Sequence, residues 1–455
     1  MNGRKGPFND MTEVEHVRPE GTFPPRSLLA IAGAGPIGLE AAALAASRGW
    51  DVAVFERGQL AQHLEEWGHV RLFSPFSMNH SDWGVELVKR SFPNWVPPAQ
   101  DALLTGRRYR QLYLQPLSQI PELRSRILTG VEVIEIGKDH LGKSDWIGDP
   151  ARLNRPFRLL LRRGDREGIH RAEAVIDATG VYSCPRPLGN GNIPAPGEQE
   201  ALRQAPHRIH FKLVDLVGRR RREFAGKRIL LVGGGYSAAT HLEALAELCK
   251  SAPETQVIWV NWSRRDPPFQ RFENDPLPYR DDLGRLGNRL SGAPPSWLTF
   301  LGHSAVEAIH WLPGHPAESG KGGHFEVAVG TPAAGRRRLQ VDQILASVGF
   351  RPDTSVYRQL QVHECYATSG PIQLSASLLG GSGDCLAHQS QGIELLRNPE
   401  PNFFILGNKS YGTVSTFLLK HGIEQVRTVM KELNTFFAGR EFSSKEPNYE
   451  HASHS

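Results

Sequence analysis

The sequence predicts an α/β protein built on two Rossmann-like units. Three observations carry this. From residue 28 a short apolar run, a glycine turn and an Ala-rich stretch follow one another. The same succession returns about 200 residues later, a domain-scale duplication and not a solenoid period. Each copy is followed downstream by an apolar strand pattern that ends in glycine, AEAVIDATG in the first case and QVDQILASVG in the second.

Residues 28–32 (LLAIA) show no polar alternation, which suits a strand covered on both faces. Gly33-Ala34-Gly35-Pro36-Ile37-Gly38 makes the turn, LEAAALAASRG the helix, and DVAVFE the next strand, giving a βαβ unit. The run LLAIAGAGPIGLEAAALAA resembles a membrane span only in hydropathy. It is marginal in length and carries Glu40 and three glycines, so the βαβ reading stands. Residues 57–125 are irregular, with a predicted helix over RRYRQLYLQPLSQI that Pro116 should end or kink. VEVIEI, RLLLRR and AEAVIDATG read as strands. The Pro/Gly cluster CPRPLGNGNIPAPGE then marks a crossing between domains. RILLV, Gly233-Gly234-Gly235-Tyr236-Ser237-Ala238, SAATHLEALAELCK and QVIWVNW form the second unit. Residues 266–330 read as loop-rich, NFFILGN as a strand and turn, and STFLLKHGIEQVRTVMKELN as a helix. The last fifteen residues are polar and expected to fray.

The glycine turns carry the chemistry. A diphosphate needs backbone N–H donors and close approach, which a Cβ blocks. Gly33 is expected to make the tight turn, Gly35 to let the diphosphate near and Gly38 to let helix and strand pack, with Pro36 and Ile37 opening the helix. Glu56 closes the second strand at close to the expected spacing of about 20 residues, placed for ribose hydroxyls, with Arg57 beside it. In the second turn Gly233, Gly235 and Ala238 take the three small positions and Ser237 opens the helix. The strand after it ends not in an acid but in Asn261-Trp262-Ser263-Arg264-Arg265. Arg264 and Arg265 suit a 2′-phosphate, so NADPH is expected there in preference to NADH. Two such sites in one chain imply a resident FAD in the first and NADPH delivering hydride in the second.

Composition sets the bounds. The chain has 455 residues, 39% hydrophobic and 22% charged, so a mostly disordered chain is excluded. A net charge of +5 is small for a nucleic-acid coat, and no nucleic-acid or membrane partner is expected. The four cysteines (184, 249, 365 and 385) form no C-x-x-C pair, which argues against a dithiol of that spacing and against a zinc ribbon. Sparse cysteines and a polar N-terminal segment suggest a cytoplasmic setting. His207-x-x-His210 and His363-Glu364-Cys365 lack a second ligand pair, so no metal is expected. No Gly-x-Ser-x-Gly elbow is present. Arg219–Arg222 and Arg336–Arg338 read as solvated faces, and Cys184 as an inert thiol.

GAGPIGLEAA with FE at 55–56, DATGVYSCPRP with IPAPGE at 177–198, FAGKRILLVGGGYSAATHL at 224–242 and SVGFRPD at 347–353 resemble the two-dinucleotide-binding-domain flavoproteins, in particular the flavin-containing (class B) monooxygenase-like branch. The resemblance runs from about residue 28 to about residue 430 and implies the following architecture. Flexible segments cover 1–25 and 439–455, the FAD-binding domain is in two parts, 26–182 and 344–438, and the NAD(P)H-binding domain, 183–343, is inserted between them, with DATG and SVGFRPD as the crossings. Thr179 and Gly180 would contact FAD, as would Gly407 and Asn408, where relatives place Gly-Asp; Gly383-Asp384 offers an acid earlier. Arg71, Ser77 and Asn79, in the segment that runs along the flavin ring in similar proteins, are the catalytic candidates, with Trp67 or Phe73 placed to stack. The implied activity is NADPH-dependent hydroxylation of a small molecule with O₂, through a flavin peroxide. The alternative is a reductase passing electrons to a quinone, disulfide or other acceptor. The F-x-G-x-x-x-H-S/T fingerprint of the monooxygenases is absent before the second turn, where IHFKLVDLVG stands. The C-x-x-C of the thioredoxin-reductase-like branch is absent too, and Pro36-Ile37 fills the place where some disulfide reductases carry a cysteine.

Overall fold

A computed structural model describes residues 23–24, 26–314, 322–331, 335–380 and 392–438. The polar tail from 439, most of the N-terminal segment, Gly383-Asp384 and Cys385 lie outside the described residues. In chain order the strands are β1 Arg26–Ala32, β2 Val52–Glu56, β3 Ile127–Thr129, β4 Glu132–Lys138, β5 Phe157–Arg163, β6 Arg166–Asp177, β7 Ile209–His210, β8 Arg228–Val232, β9 Gln256–Asn261, β10 Leu298–Gly302, β11 Ala305–Leu312, β12 His324–Thr331, β13 Gly335–Val341, β14 Gln343–Ala346 and β15 Phe403–Ile405.

The first sheet runs β3-β2-β1-β6, with β15 beside the end of β6, all parallel. β6 is long enough to serve two neighbours. Its C-terminal part pairs with β15, while its N-terminal part continues into the antiparallel ladder β6-β5-β4. The second sheet, β10-β9-β8-β14-β7, is parallel throughout, and the antiparallel β11-β12-β13 stands on its crossover. Both units therefore follow one plan: a strand, a helix, a parallel partner, an antiparallel excursion, then a return strand beside the first. β1 and β8 are central and buried on both faces, which is why their sequences show no alternation.

The return connections lie side by side. Arg186 donates its N–H to Gly349 O and Arg351 to Cys184 O, both at 2.9 Å, so 184–186 and 349–351 cross antiparallel between the two sheets.

Three sequence expectations needed revision. The helix over residues 106–118, expected to end or kink at Pro116, does not end there but continues through it. A wide π turn, Arg110–Leu114, precedes the proline, and the Leu112 carbonyl, which loses its helical donor to Pro116, accepts the Trp95 indole N–H at 2.8 Å. Within 266–330, Pro278–Gly292 is a helix, disguised by its glycines; Gly287 packs against the Phe269 ring. The C-terminal helix spans Leu419–Phe437, starting later than its sequence suggests, because residues 412–418 run along the cavity described next. Among the described residues no helix is long and apolar enough to cross a membrane.

Candidate functional site

A cavity of about 980 Å³ is lined by both glycine turns. In the first turn Gly33 has φ +99°, and a Cβ there would sit 2.7 Å from Ala178 O. Gly35 differs. Its φ is −77°, and an added Cβ would meet no protein atom within 4 Å. The space it faces is the cavity, so nothing in the protein itself excludes a side chain there. Gly235 is open in the same way, while at Gly233, φ +139°, a Cβ would fall 2.2 Å from Ser347 O. Gly35 and Gly235 each begin a helix, Pro36–Ser47 and Tyr236–Ser251, that no side chain caps. An uncapped helix start with an open glycine fits an anionic diphosphate.

Pro36 and Ile37 line the cavity, whereas Gly38 is buried behind the lining, where a Cβ would fall 2.0 Å from Gly33 O. Glu56 ends β2 with one carboxylate oxygen accepting Ala34 N–H and the other Gly58 N–H, both at 2.8 Å, so its carboxylate is fixed at the rim of the turn. Arg57 reaches across to Ser183 Oγ at 2.7 Å and to Glu132 at 3.4 Å. Thr179 and Gly180 line the cavity just after β6, and Gly407 and Asn408 just after β15.

Beneath them is a group that the sequence did not reveal. Lys409 Nζ, fully buried, donates to Asp177 Oδ2 at 2.6 Å and to Thr179 Oγ1 at 2.9 Å. This pair ties the end of β6 to the segment that follows β15, beside Thr179 and Asn408 of the cavity lining. Asp177 stands in DATG and Lys409 follows Gly407-Asn408, but nothing local marks them as partners.

Around the second turn, Ser237 and Arg265 line the cavity; Ala238 is buried under the helix and Arg264 faces solvent away from it. Arg265 is held by Gln270 Oε1 at 2.8 Å. Asn261 occupies in β9 the place that Glu56 holds in β2: Gly33 N–H binds Phe55 O and Gly233 N–H binds Val260 O, one residue earlier in each strand. A neutral amide thus replaces the carboxylate.

The catalytic candidates separate. Arg71 lines the cavity, its guanidinium 5.2 Å from the centre of the Tyr279 ring. Ser77 is exposed and outside the lining, and Asn79 is buried behind it. Asn79 instead holds Ser74, which does line the cavity: Ser74 Oγ donates to Asn79 Oδ1 at 2.8 Å and Asn79 Nδ2 to Ser74 O at 2.9 Å. Trp67 and Phe73 also line it. Phe73 stands 6.0 Å, ring to ring, from Tyr236 of the second turn, so this wall bridges the two crevices. Tyr182 stacks with His63 and Trp67, and burial pushes its phenol up to about 12, keeping it neutral. Cys184 is the one thiol in the lining among the described residues, and burial, then Asp353, pushes it above its ordinary value.

This fold, two Rossmann-like units with an antiparallel excursion in each and a shared cavity, is that of the two-dinucleotide-binding-domain flavoproteins. No family model matches the chain, and no curated protein matches it. Among solved structures it is similar to the bacillithiol disulfide reductase Bdr of Bacillus cereus (16% identity, TM-score 0.59, covering 90% of this chain and 99% of that one). It is similar as well to the ornithine N-hydroxylase KtzI of Kutzneria sp. 744 (16%, TM-score 0.57, 90% and 100%) and to the cadaverine monooxygenase DfoA of Erwinia amylovora (12%, TM-score 0.58, 94% and 98%). Identities this low establish a common fold.

Proposed function

We propose that the chain is an FAD-dependent, NADPH-consuming oxidoreductase that hydroxylates a small molecule with O₂. One observation carries the reading: a single cavity is lined by two uncapped helix starts, each opened by a glycine whose missing side chain leaves room for an occupant and not for protein. FAD supplies hydride acceptance and oxygen chemistry when bound; KtzI, whose structure holds reduced FAD, NADP⁺ and ornithine, and DfoA, bound to FAD, support that assignment.

Gly33, Gly35 and the first helix start would hold the FAD diphosphate, Glu56 the ribose, and Thr179, Gly180, Gly407 and Asn408 the wall over the Lys409–Asp177 pair. Gly233, Gly235, Ser237 and Arg265 would hold NADPH, the neutral Asn261 leaving room for a 2′-phosphate that a carboxylate repels. The apolar wall of Phe73, Phe417 and Leu418 excludes water where the two crevices meet. On this reading 26–182 and 344–438 are the two parts of the FAD domain and 183–343 is the insert. The described cysteines are all free, in keeping with a cytoplasmic setting.

The second reading, a reductase, is favoured by the likeness to Bdr. Against an internal dithiol relay stands Cys184, the one thiol of the lining among the described residues, held as a thiol. NADPH oxidation measured with and without oxygen decides between them. The oxygenase stops under anaerobic conditions whatever quinone or disulfide is offered. Sustained anaerobic turnover with either acceptor overturns the oxygenase in favour of the reductase.

A further inference from the structure

Besides the exchange of Glu56 for Asn261, the two crevices differ at one further place. Ala178 N–H binds Ala32 O at the end of β1, and Ser347 N–H binds Val232 O at the end of β8; each residue's carbonyl then caps the first glycine of its turn. Ala178 and Ser347 are therefore structural counterparts. Along the helices, Ala41 is the counterpart of His241. Where the first crevice has two alanines, the second has a serine and a histidine in contact.

His241 is buried, and its Nε2 accepts the Val214 N–H at 3.2 Å. A ring nitrogen that accepts an amide N–H carries no proton, so the neutral ring is protonated on Nδ1. Burial holds His241 down at about 3, with His210 and His69 adding to the effect, so the ring stays neutral. Nδ1 lies 2.9 Å from Ser347 Oγ and donates to it. The hydroxyl accepts from the ring, which leaves its own proton to donate, and Ser347 is half-buried in the cavity lining with no acceptor of its own among the described residues. Sheet order fixes which part of a ligand it meets. β9, with Asn261 and Arg265, lies on one side of β8, and β14, which leads to Ser347, lies on the other.

We propose that Ser347 donates a hydrogen bond to the nicotinamide half of NADPH, beyond the adenosine phosphate, and that His241 is the positioning residue that orients its hydroxyl. This rests on reading the second crevice as the NADPH site. Calorimetric titration of the flavin-loaded protein with NADP⁺ and with 2′,5′-ADP tests it. Ser347→Ala weakens NADP⁺ about tenfold, the value of one hydrogen bond to a charged acceptor, and leaves 2′,5′-ADP unchanged. Ser347→Thr keeps the affinity. His241→Leu behaves as Ser347→Ala does, and His241→Asn, whose amide N–H replaces the Nδ1 proton, restores most of it. If Ser347→Ala weakens neither ligand, or both equally, the inference is overturned. Gly235→Asp separates the two levels. If that variant binds NADP⁺ normally, the second crevice is not the site; if it loses binding while Ser347→Ala does not, only the role of Ser347 falls.

Discussion

Gly33 and Gly35 stand two residues apart and should fail in opposite ways when each is replaced by alanine. At Gly33 the backbone sits at φ +99° and the new methyl would lie 2.7 Å from Ala178 O. A non-glycine residue in that region, with a carbonyl to push aside, costs about 1–3 kcal/mol of fold stability. At Gly35, φ −77° suits any residue and the methyl meets nothing within 4 Å. The apoprotein should lose less than about 1 kcal/mol, the difference between glycine and alanine at a helix start. The methyl does occupy the space through which a diphosphate approaches the helix N–H groups. Losing one N–H bond to a charged oxygen costs about 1.5–3 kcal/mol, roughly tenfold to a hundredfold in affinity. The assay pairs flavin content per polypeptide with urea denaturation of the flavin-free protein. Gly35→Ala should purify with little flavin and an apoprotein curve like wild type; Gly33→Ala should show a displaced curve. A fully flavinated Gly35→Ala, or an apoprotein as damaged as that of Gly33→Ala, refutes the distinction.

Other outcomes follow from the same geometry. Lys409→Met leaves Asp177 buried without its ion partner and should cost about 3–5 kcal/mol, much of it recovered in Lys409→Met/Asp177→Leu; equal denaturation midpoints for the single and double variants would contradict the pairing. Glu66 on the first unit meets Lys212 from the second at 2.6 Å. Burial opposes its ionisation, yet hydrogen bonds from His63, Lys212 and Gln62 hold it down at about 2. A lowered carboxyl contributes stability that is complete above its ordinary value near 4.5 and vanishes as pH falls toward 2, so Glu66→Gln should flatten acid unfolding in that window, and an unaltered acid limb would count against the contact. Arg265→Ala should lower the NADPH-to-NADH ratio of kcat/KM by tenfold or more, whereas Arg264→Ala, which faces away from the cavity, should barely change it. The reverse order would move the 2′-phosphate contact.

What was legible in the sequence was what is local. A strand, a turn and a helix within some twenty residues announce themselves through apolar runs and glycine, and Glu56 could be found by counting from the turn. What was hidden depends on residues brought together from afar. Lys409 and Asp177 are 232 positions apart, and His241 and Ser347 are 106 apart. The helix Pro278–Gly292 was masked by its glycines, of which Gly287 is required by packing on Phe269, and residues 415–418, which fell within the expected helix, line the cavity outside any helix. Asn79 showed the limit of reading from segment alone: neighbours in its stretch line the cavity, but Asn79 is buried behind them and grips Ser74.

The paired connections at 184–186 and 349–351 bear on how such a molecule arises. On the proposed division, an insert that leaves and re-enters its host within one hydrogen bond's reach does not spread the host strands apart. Arg186 and Gly349 already touch, so excising everything between them and closing the gap with a short linker should leave the outer sheet whole. The second unit would then be, in that sense, an elaborate loop, joined to the first sheet's polypeptide at this one stitch.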